Sequence, residues 1–91
     1  MARFRIMAAR KSSPSGDAEF EVEWLVGRLL VGDSFRVYDT HHPVVCVIKA
    51  IRGDYKLATL TSAVHLGWDN QFAPAIVDTE AGRPDDFKYQ V

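Results

Sequence analysis

Along most of the chain apolar and polar residues alternate with a period of two, the pattern that places successive side chains on opposite faces of an extended strand. The clearest run is Glu19-Phe20-Glu21-Val22-Glu23-Trp24, with Phe20, Val22 and Trp24 on one face and three glutamates on the other. Arg3 to Ala9 reads as an earlier strand, in which Phe4 and Ile6 alternate with Arg3 and Arg5. Between the two, Lys11 to Asp17 (KSSPSGD) gathers residues that supply or tolerate turn dihedrals. An antiparallel hairpin of these strands has a register that sets Phe4 opposite Trp24, Ile6 opposite Val22 and Ala8 opposite Phe20. The same register puts Arg5 opposite Glu23 on the outer side, so apolar and charged pairing agree. The glutamate row reads as a solvated face rather than a metal or basic-partner site, because alternation alone accounts for it.

The next stretch, Gly27 to Val37 (GRLLVGDSFRV), reads as strand, corner, strand. Leu29 and Val31 alternate up to Gly32-Asp33, a pair suited to a tight turn, and Phe35 and Val37 resume the alternation beyond it. In this reading Gly32 supplies backbone freedom, Asp33 the turn chemistry, and the four apolar residues the core on either side. After the loop Asp39-Thr40-His41-His42-Pro43 comes Val44 to Ile51, apolar on both faces: Val44, Cys46, Ile48 and Ala50 on one, Val45, Val47 and Ile51 on the other. In a small barrel only one side faces the interior, so the outer side needs cover from another segment, a second subunit or a binding partner. Val45, Val47 and Ile51 are therefore the candidate partner-binding residues. Arg52-Gly53-Asp54 is a turn, Tyr55 to Thr61 and Ala63 to Trp68 are further strands, Phe72 to Val77 is a short apolar segment, and Phe87, Tyr89 and Val91 alternate as a closing strand. No helical periodicity runs beyond two turns. About seven short strands separated by turn signals predict an all-β barrel or sandwich, as one domain over residues 1–91.

Composition narrows the functional classes. Forty-seven per cent apolar and 25 per cent charged residues are ordinary for a globular chain, and at 91 residues one modest core must supply the stability. Eleven basic residues against twelve acidic give a formal net charge of −1, which disfavours nucleic-acid binding by the domain as a whole. A local basic patch stays open, with Arg28, Arg36, Lys49, Arg52 and Lys56 as its candidate RNA-contacting residues. The single cysteine, Cys46, excludes an intrachain disulfide and a cysteine-rich zinc site; a reducing, cytoplasmic setting is the expectation. No apolar run approaches the roughly 20 residues that span a bilayer. The basic, acid-free start MARFRIMAARKSS has something of a transit peptide, yet its alternation is that of a strand.

Candidate chemistry is sparse. His41-His42 lies beside Asp39, but adjacent histidines on an extended chain point to opposite sides, and His65 joins them only through the fold. Cys46 sits in the most apolar strand, without a base or an electropositive setting. Ser34 follows Gly32-Asp33 but lacks the Gly-x-Ser-x-Gly elbow of hydrolases, and Asp85-Asp86 reads as a solubilising loop. Trp68-Asp69-Asn70-Gln71-Phe72 has aromatics that could stack on a base, but it lacks the basic neighbours such platforms carry, so Trp68 is read as core. No catalytic, cofactor or metal site is expected.

One stretch carries a family resemblance. Gly27-x-Leu29-x-Val31-Gly32-Asp33-x-Phe35-x-Val37 resembles the Gly-x-Ile/Val-x-x-Gly-Asp-x-Val-x-Val signature of the second-domain β-barrel of translation elongation factors. Phe4-Arg5-Ile6, Val44 to Ile51, Val64-His65-Leu66 and Ile76-Val77 through Gly82 follow in the family's order, so the resemblance extends over about residues 3 to 82. Larger residues around Val22 to Trp24 replace the glycine that the family carries before the corner. The resemblance implies a small antiparallel β-barrel that serves as a docking surface. The family's nucleotide-binding domain has no counterpart in these residues, which contain no Gly-x-x-x-x-Gly-Lys-Ser/Thr loop. The expected function is accordingly non-enzymatic: a stand-alone binding or scaffolding module for a protein, including a second copy of itself. The alternative is an RNA- or ribosome-associated barrel acting through the five basic residues, and a third class, an enzyme holding a ligand in the barrel mouth, follows from the architecture alone.

Overall fold

In the computed structural model the described residues are 2–11, 17–38, 43–54, 56–65 and 75–82. They form six strands: β1 (Ala2–Lys11), β2 (Asp17–Gly27), β3 (Ser34–Tyr38), β4 (Pro43–Gly53), β5 (Leu57–His65) and β6 (Ala75–Asp78). Every pairing is antiparallel, in the order β3-β4-β5-β2-β1-β6. The two outer strands then approach each other. Just beyond β6, Glu80 and Ser34 exchange both backbone hydrogen bonds, at 2.7 and 2.9 Å. Beside them the Thr79 N–H donates to the Ala2 carbonyl at 2.8 Å, and the Ala2 N–H donates to Thr79 Oγ1 at 2.7 Å. The sheet thus curls into a nearly closed antiparallel β-barrel, the all-β class that the alternation predicts.

The expected hairpin register holds for its first half. Phe4 pairs with Trp24, Arg5 with Glu23 and Ile6 with Val22. Beyond Ile6 a β-bulge at Met7 adds one residue to β1, so Ala8 pairs with Glu21 and Ala9, not Ala8, meets Phe20. A second bulge at Leu25 on β2 separates the Phe4–Trp24 and Arg3–Val26 pairs. A third, at Lys49 on β4, follows the Ile48–Ser62 pair and precedes Ala50–Thr61 and Ile51–Leu60. Each extra residue reverses which side chains face inward.

Inside, three phenylalanines meet edge to face: Phe35 lies 5.2 Å from both Phe4 and Phe20, with ring planes crossed at 85° and 82°. Such pairs add about 0.5–1.5 kcal/mol each beyond the area they bury. Ile6, Ile48 and Leu60 pack with them and, like them, are no more than 1% exposed, within a wider core that includes Val22, Val44 and Cys46.

Two expectations for the middle of the chain change. Residues 28–33 are a connection rather than a strand; Leu29 is buried, but Val31 is 61% exposed. The Asp33 N–H donates to the Leu30 carbonyl at 3.2 Å, closing a turn in which Gly32, at φ 98°, occupies the position where a type II turn requires a positive φ. That turn breaks the alternation, so Val31 points to solvent. The corner also docks on β4: the Gly32 N–H donates to the Ile48 carbonyl and the Ile48 N–H to the Asp33 carbonyl, each at 2.9 Å. Second, Leu57 to Thr61 and Ala63 to His65, expected in two strands, belong to one, β5, with Ala58, Leu60, Ser62 and Val64 all inward; Tyr55 and residues 66–68 lie outside the described residues. The His41-His42 loop, Trp68 to Phe72, Asp85-Asp86 and the closing strand at Phe87 lie outside the described residues.

Candidate interaction surface

Among the described residues the barrel's interior is lined by buried apolar side chains. Its one cysteine packs in that core: burial pushes the Cys46 thiol up to about 12, leaving it protonated at neutral pH. Ser34 is buried at the barrel's closing bridge. No group of three His, Cys, Asp or Glu able to hold a metal ion occurs among the described residues. No helix among them is long and apolar enough to cross a membrane.

The expected partner face on β4 is not one surface. Val45 and Val47 point outward but are only 3% and 4% exposed, packed with Ala63 on the outer side of the sheet. Ile51 is partly buried and packs against the main core instead. The bulge at Lys49 separates them: reversed parity turns Ile51 inward beside Leu60 and Ala50 outward.

The five basic candidates are likewise not a free patch. Lys49 Nζ lies 2.9 Å from Asp17 Oδ2, and Arg52 Nη2 lies 3.1 Å from Glu19 Oε2. The two cations of β4 are therefore balanced by acids at the start of β2. Arg36 is exposed on β3, Arg28 on the connection after β2, and Lys56 in the turn before β5.

That turn is built locally. The Asp54 N–H donates to the Leu57 carbonyl at 3.0 Å, while Asp54 Oδ1 accepts from the Lys56 and Leu57 N–H groups at 3.0 and 3.1 Å. The Leu57 and then the Lys56 amide hold the Asp54 carboxyl below the usual carboxylate range. The turn is fastened to β2 by the Trp24 N–H, which donates to the Lys56 carbonyl at 2.9 Å. Near the end of β2 the Trp24 indole N–H donates to the Gly27 carbonyl at 2.7 Å.

Alternation hides the surface that stands out in three dimensions. Of the seven large apolar side chains exposed among the described residues, five (Met7, Leu25, Val26, Leu57 and Ile76) lie on β6, β1, β2 and β5. They surround the Arg5–Glu23 ion pair, whose Nη1 and Oε1 atoms are 2.7 Å apart. Across the strands Ile76 is the β6 partner of Arg5, and Leu57 is the β5 partner of Glu23. Met7 and Leu57 border a groove of about 390 Å³ with Val22 and Ala58 among its walls, and Leu25 and Val26 border another of about 320 Å³ with Trp24 and Lys56. Met7 and Leu25 face outward by alternation after Ile6 and Trp24, and the bulge at each turns the next residue, Ala8 and Val26, outward as well. At the rim Arg3 Nε and Nη2 reach Asp78 Oδ1 and Oδ2 at 2.8 and 3.3 Å; that hydrogen bonding, reinforced by the guanidinium charge, holds the Asp78 carboxyl below its ordinary value.

Fold and surface define a class: a small, nearly closed antiparallel β-barrel with apolar side chains exposed on its outer face. No protein-family profile, curated protein or solved structure matches this chain.

Proposed function

We propose that this chain is a non-enzymatic β-barrel module that binds another protein, a second copy of itself included, through the outer face of the sheet. The observation that carries this reading is the ring of exposed apolar side chains around Arg5 and Glu23. Clustered apolar exposure of this kind marks interaction surfaces, whereas scattered single residues do not. The resemblance of Gly27 to Val37 to the corner of the elongation-factor second domain adds support, because that barrel serves as a docking surface. With a single cysteine, and so no intrachain disulfide, the chain suits a reducing, cytoplasmic setting. RNA contact through Arg28, Arg36, Lys49, Arg52 and Lys56 draws less support, because Lys49 and Arg52 are already paired with Asp17 and Glu19.

A photoreactive amino acid in place of Leu57, in the cell or in extract, tests the reading. A protein adduct at position 57, absent when the probe replaces Val31, is the expected result. An adduct removed by ribonuclease would transfer the function to the RNA class, and no adduct at position 57 would refute the protein-binding reading.

A further inference from the structure

Four acids line the outer side of β2: Asp17, Glu19, Glu21 and Glu23. Cations of β1 and β4 meet three of them, Lys49 at Asp17, Arg10 and Arg52 at Glu19, and Arg5 at Glu23. Glu21 is the exception. It is exposed and makes neither an ion pair nor a side-chain hydrogen bond among the described residues. The register gives the reason. Its cross-strand partners are Ala8 on β1 and Thr59 on β5, and the bulge at Met7 leaves Met7 and Ala8, both uncharged, outward beside it. Arg10 is within electrostatic reach of Glu21, but Glu19 holds it through Nε and Nη2 at 3.0 and 2.8 Å. Arg52, the β4 partner of Thr59, turns to the same Glu19.

Glu21 lines the groove of about 390 Å³ whose other walls include Met7 of β1, Leu57 of β5, and Val22 and Ala58. We infer that this groove receives a lysine or arginine side chain of a partner protein, its alkyl stem against Met7 and Leu57 and its cationic head on Glu21. The inference rests on the protein-binding reading above and names the partner's chemistry. Long basic side chains lay their methylene stems on apolar surface and keep the charged head in a polar setting, and the groove divides its chemistry in the same way. An acidic side chain would meet Glu21 as a like charge, and an apolar one would cover the carboxylate without pairing it. A divalent cation takes several oxygen ligands, whereas a single carboxylate lines this groove.

The size of the groove fits one side chain. Its walls stand on three adjacent strands, β1, β2 and β5, so they belong to one local patch of the barrel. Its rims are two strand spacings apart, about 10 Å between backbones. A helix with its side chains, about 10–12 Å across, does not enter such a space. Met7 and Leu57 are 54% and 59% exposed, which leaves apolar surface for the residues that flank the basic one on the partner.

Nuclear magnetic resonance titration of the full, ¹⁵N-labelled chain with three blocked tripeptides, acetyl-Leu-Lys-Leu-amide and its Gln and Glu counterparts, tests the proposal. Shifts centred on Glu21, Met7 and Thr59 are expected, with the Lys peptide bound about two- to fivefold more tightly than the Gln peptide, the range of one exposed ion pair, and the Glu peptide bound most weakly. Glu21→Gln is expected to erase the preference for Lys over Gln, and Glu21→Lys to invert the order of the Lys and Glu peptides. Thermal unfolding checks that both variants are folded. Equal binding of the three peptides, shifts centred elsewhere, or an order that survives Glu21→Lys would overturn the proposal. The photoreactive probe at position 57 separates this from the broader reading. A protein adduct that forms equally well with Glu21→Lys would overturn the proposal and leave the protein-binding reading intact, whereas no adduct in either chain refutes that reading itself.

Discussion

Two glycines of positive φ show how differently one residue type is used. At Gly53, φ 114°, an added Cβ would lie 2.5 Å from the Leu57 carbonyl oxygen and 2.9 Å from the Ala58 Cα, both backbone atoms of the paired strand. At Gly32, φ 98°, nothing lies within 4 Å of the added atom. Gly32→Ala therefore meets only the left-handed backbone penalty, about 1–2 kcal/mol. Gly53→Ala meets a similar penalty and must also displace a strand, so its cost is expected to exceed about 2 kcal/mol. Urea unfolding of the two variants checks the order; equal losses would remove the close approach as its cause. The sequence marks both glycines as turn residues, but the crowding at Gly53 arises from the opposite strand and has no local signature.

At the scale of elements, turns and edges are held by exposed carboxylates whose partners are now identified. Asp54 caps the turn before β5, and Asp78 joins β6 to Arg3 of β1. Both carboxyls titrate below their ordinary values in the folded chain, so the unfolded chain binds protons first as pH falls. Their contributions are fully present above the unfolded value of about 4 and disappear as pH drops through the lower folded value. Asp54→Ala and Asp78→Asn should each flatten the decline of stability below about pH 4 and leave its slope near neutrality unchanged, as followed by denaturant unfolding at a series of pH values. A decline as steep as that of the unmodified chain would show that these carboxylates are not coupled to folding. The strands themselves were legible wherever strict alternation lasts, as in β2 from Glu19 to Trp24. Bulges were not, because Met7, Leu25 and Lys49 shift parity through a neighbour's register rather than through local preference. This is why Ile51 could be assigned to the face of Val45 and Val47 and yet pack against the core.

Closure belongs to the whole molecule. It depends on residues 79 and 80, which meet Ala2 and Ser34 across most of the chain. The Gly82 N–H also lies 3.5 Å from Asp33 Oδ1, bringing the corner and the closing segment together. Thr79→Val removes the buried hydroxyl that accepts from the Ala2 N–H, and a stability loss of about 1–3 kcal/mol is expected from the orphaned donor. Ser62 is the natural comparison: its Oγ is buried on the core side of β5 and makes no hydrogen bond. Ser62→Ala gives up no such bond and should leave stability unchanged or slightly raised. Thermal and denaturant unfolding of both variants decide the matter, and a neutral Thr79→Val would show that the Ala2–Thr79 contact does not hold the barrel shut.

The sequence by itself determined that the chain is all-β, which residues of the β1–β2 hairpin pair near Arg5, and that Phe20, Val22, Phe35 and Val37 face inward. Those properties follow from period-two patterning and turn chemistry, both of which act between near neighbours. Only the tertiary structure decided that Val45 and Val47 are covered, that Lys49 and Arg52 are balanced by acids, and that Met7, Leu25, Val26, Leu57 and Ile76 surround one ion pair. Burial and charge balance depend on which strands become neighbours and on where bulges reverse their faces. Neither is written in the spacing of one strand.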